Sequence, residues 1–490
     1  MLILREKLAV AFHVVFGSSA ALYNSMTNLE ADGRNFLHEV LSERDGGRAP
    51  SDAKVAIIWS SITAAYAIGA FCGSFFIHTL MDSLGRRNTL MRVQNSLLIV
   101  GGIAQFCARP SRLFELLLLG RLLCGVAYAL TTFSPTFLAE CLAKKDHGTA
   151  GLMQSLSWAT MIGIGTLLPQ MFSPPTWHYV YLIPLIPSAI HAALSFSFPD
   201  SPKHIYMRHF DTAGAKRALS FYRGADFDWD DELKHMNAER LLDTSTSFAS
   251  LKHILAKPVL RSPFLLVIAV GLMASCGGID IAHQYSTSLM VGLHIGSNVA
   301  PLISGLGINL FCGMIGVIIG YMAERRTGRR QFVLGCSLMC VLSSSLLSIT
   351  DVCSGALQQI VGVAGLITST VSFYAGMTYL PGILAAEMCP YLSRSITVGV
   401  NTGASWLLAI SVIVLFMPLK RQFGSFSILP LSVAASALWL FLYRNLPETK
   451  GRALDDIAQM WTDTETKPII AEDGHDYGTR LRRLSDHQGH

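Results

Sequence analysis

The sequence predicts an all-α membrane protein: twelve transmembrane helices in two six-helix halves. Three observations carry this. The 490 residues are 51% hydrophobic and only 14% charged, whereas soluble domains carry about 25% charged residues. Apolar runs recur at lengths near the roughly 20 residues that cross a bilayer. Finally, one basic string occurs twice, as Asp82-Ser83-Leu84-Gly85-Arg86-Arg87 and as Glu324-Arg325-Arg326-Thr327-Gly328-Arg329-Arg330. In each, an acid precedes a glycine and two arginines. The glycine permits a tight turn between helices. Recurrence almost half a chain away suggests two related halves around a central site.

The spans are read at 8–27, 53–79, 88–108, 114–139, 149–171 and 179–198, then at 263–289, 299–323, 331–350, 355–388, 396–417 and 425–444. Helices are expected because lipid offers no partners for backbone amides. The ten-residue alternation of a membrane β-barrel is not seen. The first run has no small-residue cleavage site before Tyr23-Asn24, so it reads as a span and not a signal peptide. The loop at 28–52 is the longest outer loop, polar and mixed in charge. Small residues in the second span (Gly69, Gly73, Ser74), the fifth (Gly163, Gly165) and the eighth (Gly313, Gly316, Gly320) let helices approach closely.

The division expected is a first half at 1–198, a linker with short helices at 199–262, a second half at 263–446 and a tail at 447–490. Within the linker, Asp200 or Ser201 could cap a following helix. Residues 211–223 read as a short amphipathic helix, with Ala213, Ala218, Leu219 and Tyr222 among basic residues. The polar tail is expected to be disordered from about Thr462.

Lysine and arginine concentrate on the side of both termini, which places the termini in the cytoplasm. The net charge of +5 reflects those loops and implies no nucleic-acid partner; the partners expected are the lipid bilayer and a small molecule. The ten cysteines are scattered, with neither metal spacing nor a disulfide framework. No Asn-x-Ser/Thr sequon occurs. No nucleophile–base constellation appears, so neither an enzyme nor a cofactor is expected.

Several further strings resemble one family. IWSSITAAYAIGAFCGSFF followed by MDSLGRRNTL resembles the second helix and first inner loop of animal facilitative glucose transporters, in the sugar-porter branch of the major facilitator superfamily. GRLLCGVAYALTTFSPTFLAE at 120–140 is similar to their fourth helix. PDSPKHIY at 199–206 is similar to their Pro-Glu-Ser-Pro-Arg signature. YSTSL at 285–289, PGILAAEMCPYLSR at 381–394 and PETKGR at 447–452 resemble the ends of the seventh and tenth helices and the start of the tail. The resemblance covers essentially the whole chain and implies the major facilitator fold.

It also implies a gate of ion pairs on the cytoplasmic side, at Arg86, Arg87 and Glu140 in the first half and Arg329, Arg330, Glu387 and Arg394 in the second. Exposed pairs are worth only about 0–1 kcal/mol each, so a network of them would bias an equilibrium without locking it. Glu324 stands four residues before Gly328, not three as Asp82 stands before Gly85. His147 stands seven after Glu140, where the family usually has arginine. A neutral histidine would weaken that pair and a protonated one would restore it, so a modest effect of cytosolic pH is expected.

A neutral polyol needs amides, hydroxyls and an aromatic face. The resemblance offers Gln154, Asn309 and Trp406, with Gln154 open to a second reading as interhelical glue. Where the family usually carries Gln-Gln-x-x-Gly-x-Asn, this chain reads Ala274-Ser275-Cys276-Gly277-Gly278-Ile279-Asp280. Gly382 replaces the tenth helix's tryptophan and Ser405 replaces an asparagine. The site is therefore expected to be wider and poorer in amides. Asp280 and His283 share one helix face. An ionisable residue at membrane depth is usually functional. Asp280 could bind a hydroxyl or amine, could carry a proton, or could form a buried neutral pair with His283 or nearby serines. Asn24, near where proton-coupled relatives carry an aspartate, favours uncoupled diffusion.

The expectation is facilitated transport of a hexose or related polyol by alternating access, in the plasma membrane. The alternatives are a carrier of another solute (organic acid or cation, or proton-coupled) and a non-transporting sensor with this fold.

Overall fold

The structure, a computed structural model, describes residues 2–25, 29–172, 175–224, 227–244, 251–294, 296 and 299–452. Among them all regular structure is helical, and twelve spans follow one another. In the first half they are Leu2–Gly17 with Ala20–Ser25, Asp52–Ser74 with Ile77–Ser83, Asn88–Val93 with Gln94–Ala108, Glu115–Thr131 with Ser134–Cys141, His147–Leu167, and Trp177–Leu182 with Leu185–Leu194. In the second half they are Pro258–Cys276 with Ile279–Gly292, Ile303–Cys312 with Gly313–Arg326, Arg329–Ser348, Gly355–Ser372 with Phe373–Met377 and Leu380–Met388, Tyr391–Phe423, and Leu429–Asn445. Eight of the helices are long and apolar enough to cross a membrane.

The first, fourth, seventh and tenth spans are each interrupted, at Ser18-Ser19, Thr132-Phe133, Gly277-Gly278 and Thr378-Tyr379. Each opens a run of three spans; the second and sixth spans also break, at Phe75-Phe76 and Ile183-Pro184. A break in lipid would strand backbone carbonyls, and hydroxyls answer it here. Ser343 and Ser369 donate to the Gly277 carbonyl at 2.8 and 3.0 Å. Thr378 donates to Phe373 at 2.7 Å and Thr132 to Ala129 at 2.6 Å. Gly278 has a φ of 84°, a conformation that glycine adopts without steric cost. Of the small residues, Gly69 has no room for a Cβ against the Leu122 carbonyl, so the second and fourth spans meet backbone to backbone.

Two regions hold more structure than the sequence suggested. The loop between the first and second spans contains the helix Glu30–Arg44. It buries Phe36, Leu37, Val40 and Leu41, and Arg44 pairs with Glu115 of the fourth span at 2.5 and 2.9 Å. The spacing of those four apolar residues, one helical face, was the available signal. The linker holds the helices Pro202–His209, Thr212–Arg223, Trp229–Thr244 and Leu251–Ala256. Ser201 caps the first, accepting from the His204 amide at 3.4 Å, and Asp211 caps the second, accepting from Gly214 at 2.7 Å. Ala215, Ala218, Leu219 and Tyr222 are buried; Ala213, expected on that face, is exposed. The tail beyond residue 452, including the expected disorder from Thr462, lies outside the described residues.

Candidate functional site

The end of the bundle that carries the linker helices, the linker face, repeats one construction in each half. After the sixth span, Asp200 accepts from the backbone amide of Arg87 at 3.0 Å, at the start of the third span. After the twelfth span, Glu448 accepts from the amides of Arg329 and Arg330 at 2.7 and 3.2 Å, at the start of the ninth. Each carboxylate answers orphan amides and the positive end of a helix. Neither Gly85 nor Gly328 has space for a Cβ beside its capping acid, Asp200 or Glu448. The next residue repeats too. Ser201 donates to Glu140 and Thr449 to Glu387, both at 2.6 Å. The glycine of the repeated string therefore leaves space for a carboxylate. Asp200→Ala and Glu448→Ala should each cost about 1 kcal/mol, the usual worth of a cap, readable as a lower melting temperature in detergent.

Two buried carboxylates tie the halves together on this face. Glu140, at the end of the fourth span, receives Arg394 of the eleventh at 2.8 Å and Arg86 at 3.4 Å. Arg394 reaches on to Glu239 at 2.7 Å. Glu140, Arg86 and Arg394 are at most 1% exposed. Arg86 also pairs with Asp82 at 3.1 Å and stacks over Tyr391 of the eleventh span at 4.4 Å. Glu387, at the end of the tenth span, receives Arg329 at 2.9 Å, which also pairs with Glu324 at 2.8 Å. The extra residue before Gly328 thus leaves Glu324 within reach. Ser395 donates to Asp82 at 2.9 Å and Thr136 to the Gly382 carbonyl at 2.9 Å, again across the halves.

These pairs are not the exposed ones the sequence suggested. Removing one partner of a buried pair costs about 3–5 kcal/mol, because the other charge is left uncompensated. Arg87 and Arg330 depart from expectation in another way. Their side chains donate to the carbonyls of Phe198 at 2.9 Å and Tyr443 at 2.7 Å. Among the described residues neither forms an ion pair; both fasten a third-type span to a sixth-type one. Glu239 was missed. It lies in Trp229–Thr244 amid Asp230, Asp231 and Glu232, and nothing in that acidic run marks it out. Burial alone would raise its carboxyl, but Lys203 at 2.7 Å and Arg394 outweigh burial and hold it below the usual range.

The two cross-half links are unequal. His147 follows Glu140 by the same seven residues by which Arg394 follows Glu387. Where Arg394 crosses to Glu140 with a short charged pair, His147 crosses to Glu387 at 3.5 Å. A second histidine joins this face. His204 of the linker meets Arg86 at 3.1 Å and Tyr391 at 2.8 Å through Nδ1, which must accept from both and so be unprotonated. Burial lowers the imidazole below its ordinary 6.5; Arg86 and His209 lower it further, and Asp200 and Glu140 raise it. Acid therefore favours the state in which His204 is released to water. Closure should weaken as pH falls, and His204→Gln should remove that dependence, read as transport rates from about pH 5 to 8, where histidine titrates.

At the midplane, Gln154 is not available to a solute. Its Oε1 accepts from Ser134 at 3.0 Å and its Nε2 donates to Ser18 at 2.8 Å. It belongs to a chain of buried hydrogen bonds. Asn95 donates to His191 at 2.9 Å, His191 to His13 at 3.1 Å, His13 to Ser134 at 3.0 Å, and Ser18 ends the chain on the Val14 carbonyl at 2.8 Å. Donors at one end and an acceptor at the other fix both imidazoles as neutral, each with its proton on Nε2. This is interhelical glue, joining the first and third to sixth spans.

The remaining candidates lie differently. Asn309 is 1% exposed and its Oδ1 accepts no hydrogen bond from the described residues. Trp406 stands edge-on to Tyr128 at 5.3 Å and to Tyr66 at 6.2 Å, and Trp158 packs on Tyr128 at 5.1 Å. These rings come from the second, fourth, fifth and eleventh spans. Tyr66, Tyr128 and Trp158 were not singled out in the sequence, where an aromatic on a membrane helix reads as packing. Asp280 Oδ2 has no protein donor among the described residues. His283 turns instead to Tyr374, 3.3 Å from its hydroxyl. No bond joins Asp280 and His283 among the described residues, although they share a face. Nor does Gly382 widen the site: a Cβ there would sit 3.0 Å from Pro135, so the fourth span takes the space of the family's tryptophan.

Twelve spans in two halves, broken helices at the centre and ion pairs joining the halves at one face define a multi-pass membrane carrier. Comparison with known proteins agrees. The family described as "Sugar (and other) transporter" matches residues 8–461, and the chain belongs to that family. It is 23% identical over 460 residues to the mouse solute carrier family 2, facilitated glucose transporter member 5, covering 91% of this chain and 89% of the relative. It is 24% identical over 452 residues to the sheep facilitated glucose transporter member 3, with the same coverages. Among solved structures, the proton:xylose symporter XylE bound to 6-bromo-6-deoxy-D-glucose aligns with a TM-score of 0.78 at 15% identity, over 93% of this chain and all of that one. The inward-open form of XylE from E. coli aligns at 0.61, over 94% of this chain. These likenesses establish the major facilitator fold.

Proposed function

We propose that the chain carries a hexose or related polyol across the plasma membrane by facilitated diffusion, with the linker face and both termini in the cytoplasm. The carrying observation is the closure of one face by contacts from opposite halves: Arg394 on Glu140 and His147 on Glu387. Such pairs must break for the midplane to open on that side, and their energy sets how the two access states are populated. Family membership supplies the substrate class. The concentration of Lys and Arg on the linker face supports its cytoplasmic placement. The solute is read to bind between Trp406, Asn309, Asp280 and His283, with Tyr128 and Trp158 completing an aromatic wall for the C–H surface of a sugar ring.

Radiolabelled uptake into proteoliposomes tests the reading, against a panel of hexoses, pentoses and polyols, with and without an imposed pH gradient. Saturable uptake of a panel sugar that equilibrates without accumulating is expected. Accumulation driven by the gradient would show proton coupling instead, and saturable uptake of none of the panel would favour the sensor.

A further inference from the structure

One group at the midplane is poorly matched to a neutral sugar. Asp280 opens the helix that restarts after Gly277-Gly278. Its Oδ2 has no donor among the described residues. No arginine, lysine or histidine forms an ion pair with it among those residues. His283, one turn on, gives its ring to Phe373 at 5.6 Å and its Nε2 to Tyr374. Tyr374 in turn belongs to the buried cluster that holds Tyr128 of the other half. Around Tyr128 stand Trp158 at 5.1 Å, Trp406 at 5.3 Å and Tyr66 at 5.7 Å. The buried cation of this cluster, Arg121, lies over Tyr66 at 5.6 Å. A carboxylate without a counter-ion thus shares a helix face with a histidine seated on this aromatic cluster.

The chemistry of that pair of features is selective. Asp280 is partly exposed, but its Oδ2 is enclosed without a donor; a carboxylate oxygen removed from water unpaired is costly, and a hydroxyl from a neutral sugar relieves only part of that cost. An ammonium neutralises the charge outright with a charge-assisted hydrogen bond. It is also attracted to the electron-rich faces of tryptophan and tyrosine, worth roughly 0.5–2 kcal/mol when desolvated. The family's asparagine at this position offers no such term.

We propose that the preferred solute is cationic: a polyhydroxylated primary amine, of which a 2-amino-2-deoxyhexose is the simplest kind, its ammonium on Asp280 and its ring against Trp406 and Tyr128. This rests on the reading of the midplane as the solute site. The cation at Asp280 travels with the solute and needs no proton gradient, which separates the proposal from a proton carrier at the same residue.

The test uses the full chain in proteoliposomes, with labelled D-glucosamine, D-glucose and N-acetyl-D-glucosamine as probes. D-glucosamine should be favoured at least tenfold in kcat/KM over the other two, which lack the charge. Asp280→Asn should lower the glucosamine-to-glucose ratio at least tenfold, while Asp280→Glu should keep the preference. Melting temperatures of both variants establish that they fold. Wild-type uptake of glucose without preference for the amine would overturn the proposal and leave the sugar-site reading standing. So would an Asp280→Asn variant with an unchanged ratio, or one whose only loss is dependence on a pH gradient. Uptake of all three probes that is indifferent to Trp406→Ala would instead overturn the midplane as the site.

Discussion

Replacing Arg394 by alanine should open the linker face. The change removes two partners at once, leaving Glu140 with Arg86 at 3.4 Å and Glu239 with Lys203 at 2.7 Å. Both acids are deeply buried and each keeps one cation, so the penalty stays below the about 3–5 kcal/mol of a buried charge left with no partner. That cost falls on the closed state alone, because water solvates the acids once the face opens. Each 1.4 kcal/mol is a factor of ten, so the open state should gain up to about a hundredfold in population. A carrier held open on one side cannot return, and its net transport should fall ten- to a hundredfold. Arg394→Lys, which keeps the charge but cannot reach both acids, should fall between. Net uptake from the outer side measures it, with reactivity of a cysteine placed at Thr136 reporting the opening. The same change at His147 should do much less, since that link spans 3.5 Å and carries charge only when the ring is protonated.

Trp406→Ala should be the most damaging change at the midplane. The indole is only partly buried, and it bridges the halves by meeting Tyr66 and Tyr128 of the first. Truncating a fully packed tryptophan costs about 3–5 kcal/mol. Because part of this ring is already accessible, folding stability should lose less and solute binding more. The expected result is a rise of ten- to a hundredfold in KM with a small drop in melting temperature. Gln154→Ala should show the reverse. Its amide joins two hydroxyls inside the first half, so stability should fall while KM moves little.

The contrast between these residues shows what a sequence can carry. The twelve spans were legible because an apolar run of bilayer length suits little besides lipid. The linker-face acids and arginines were legible as charges at helix ends, but not their burial, which depends on linker helices folding over them. Glu239 illustrates this: its partner Arg394 lies on another half of the chain, and local composition says only that the helix is acidic. Arg87 and Arg330 misled for a related reason. The second arginine of each string looks like the first, and only the position of the sixth- and twelfth-span ends shows that its partner is a carbonyl. Gln154 was open to two readings because a buried amide serves binding and packing alike. Ser18, Ser134, His13 and His191 decide between them, and they are scattered over three other spans. The seventh helix was most informative where it departed from its family, at Gly277-Gly278 and Asp280.

The central claim is that charges crossing between the halves hold the linker face shut. The most direct measurement is the distance across that face by electron–electron resonance, with spin labels at Lys145 and Arg326, exposed on opposite halves, in a chain whose native cysteines are replaced. A dominant short distance in the parent chain, giving way to a longer one in Arg394→Ala, is the predicted result. Identical distance distributions in the two proteins would contradict the account.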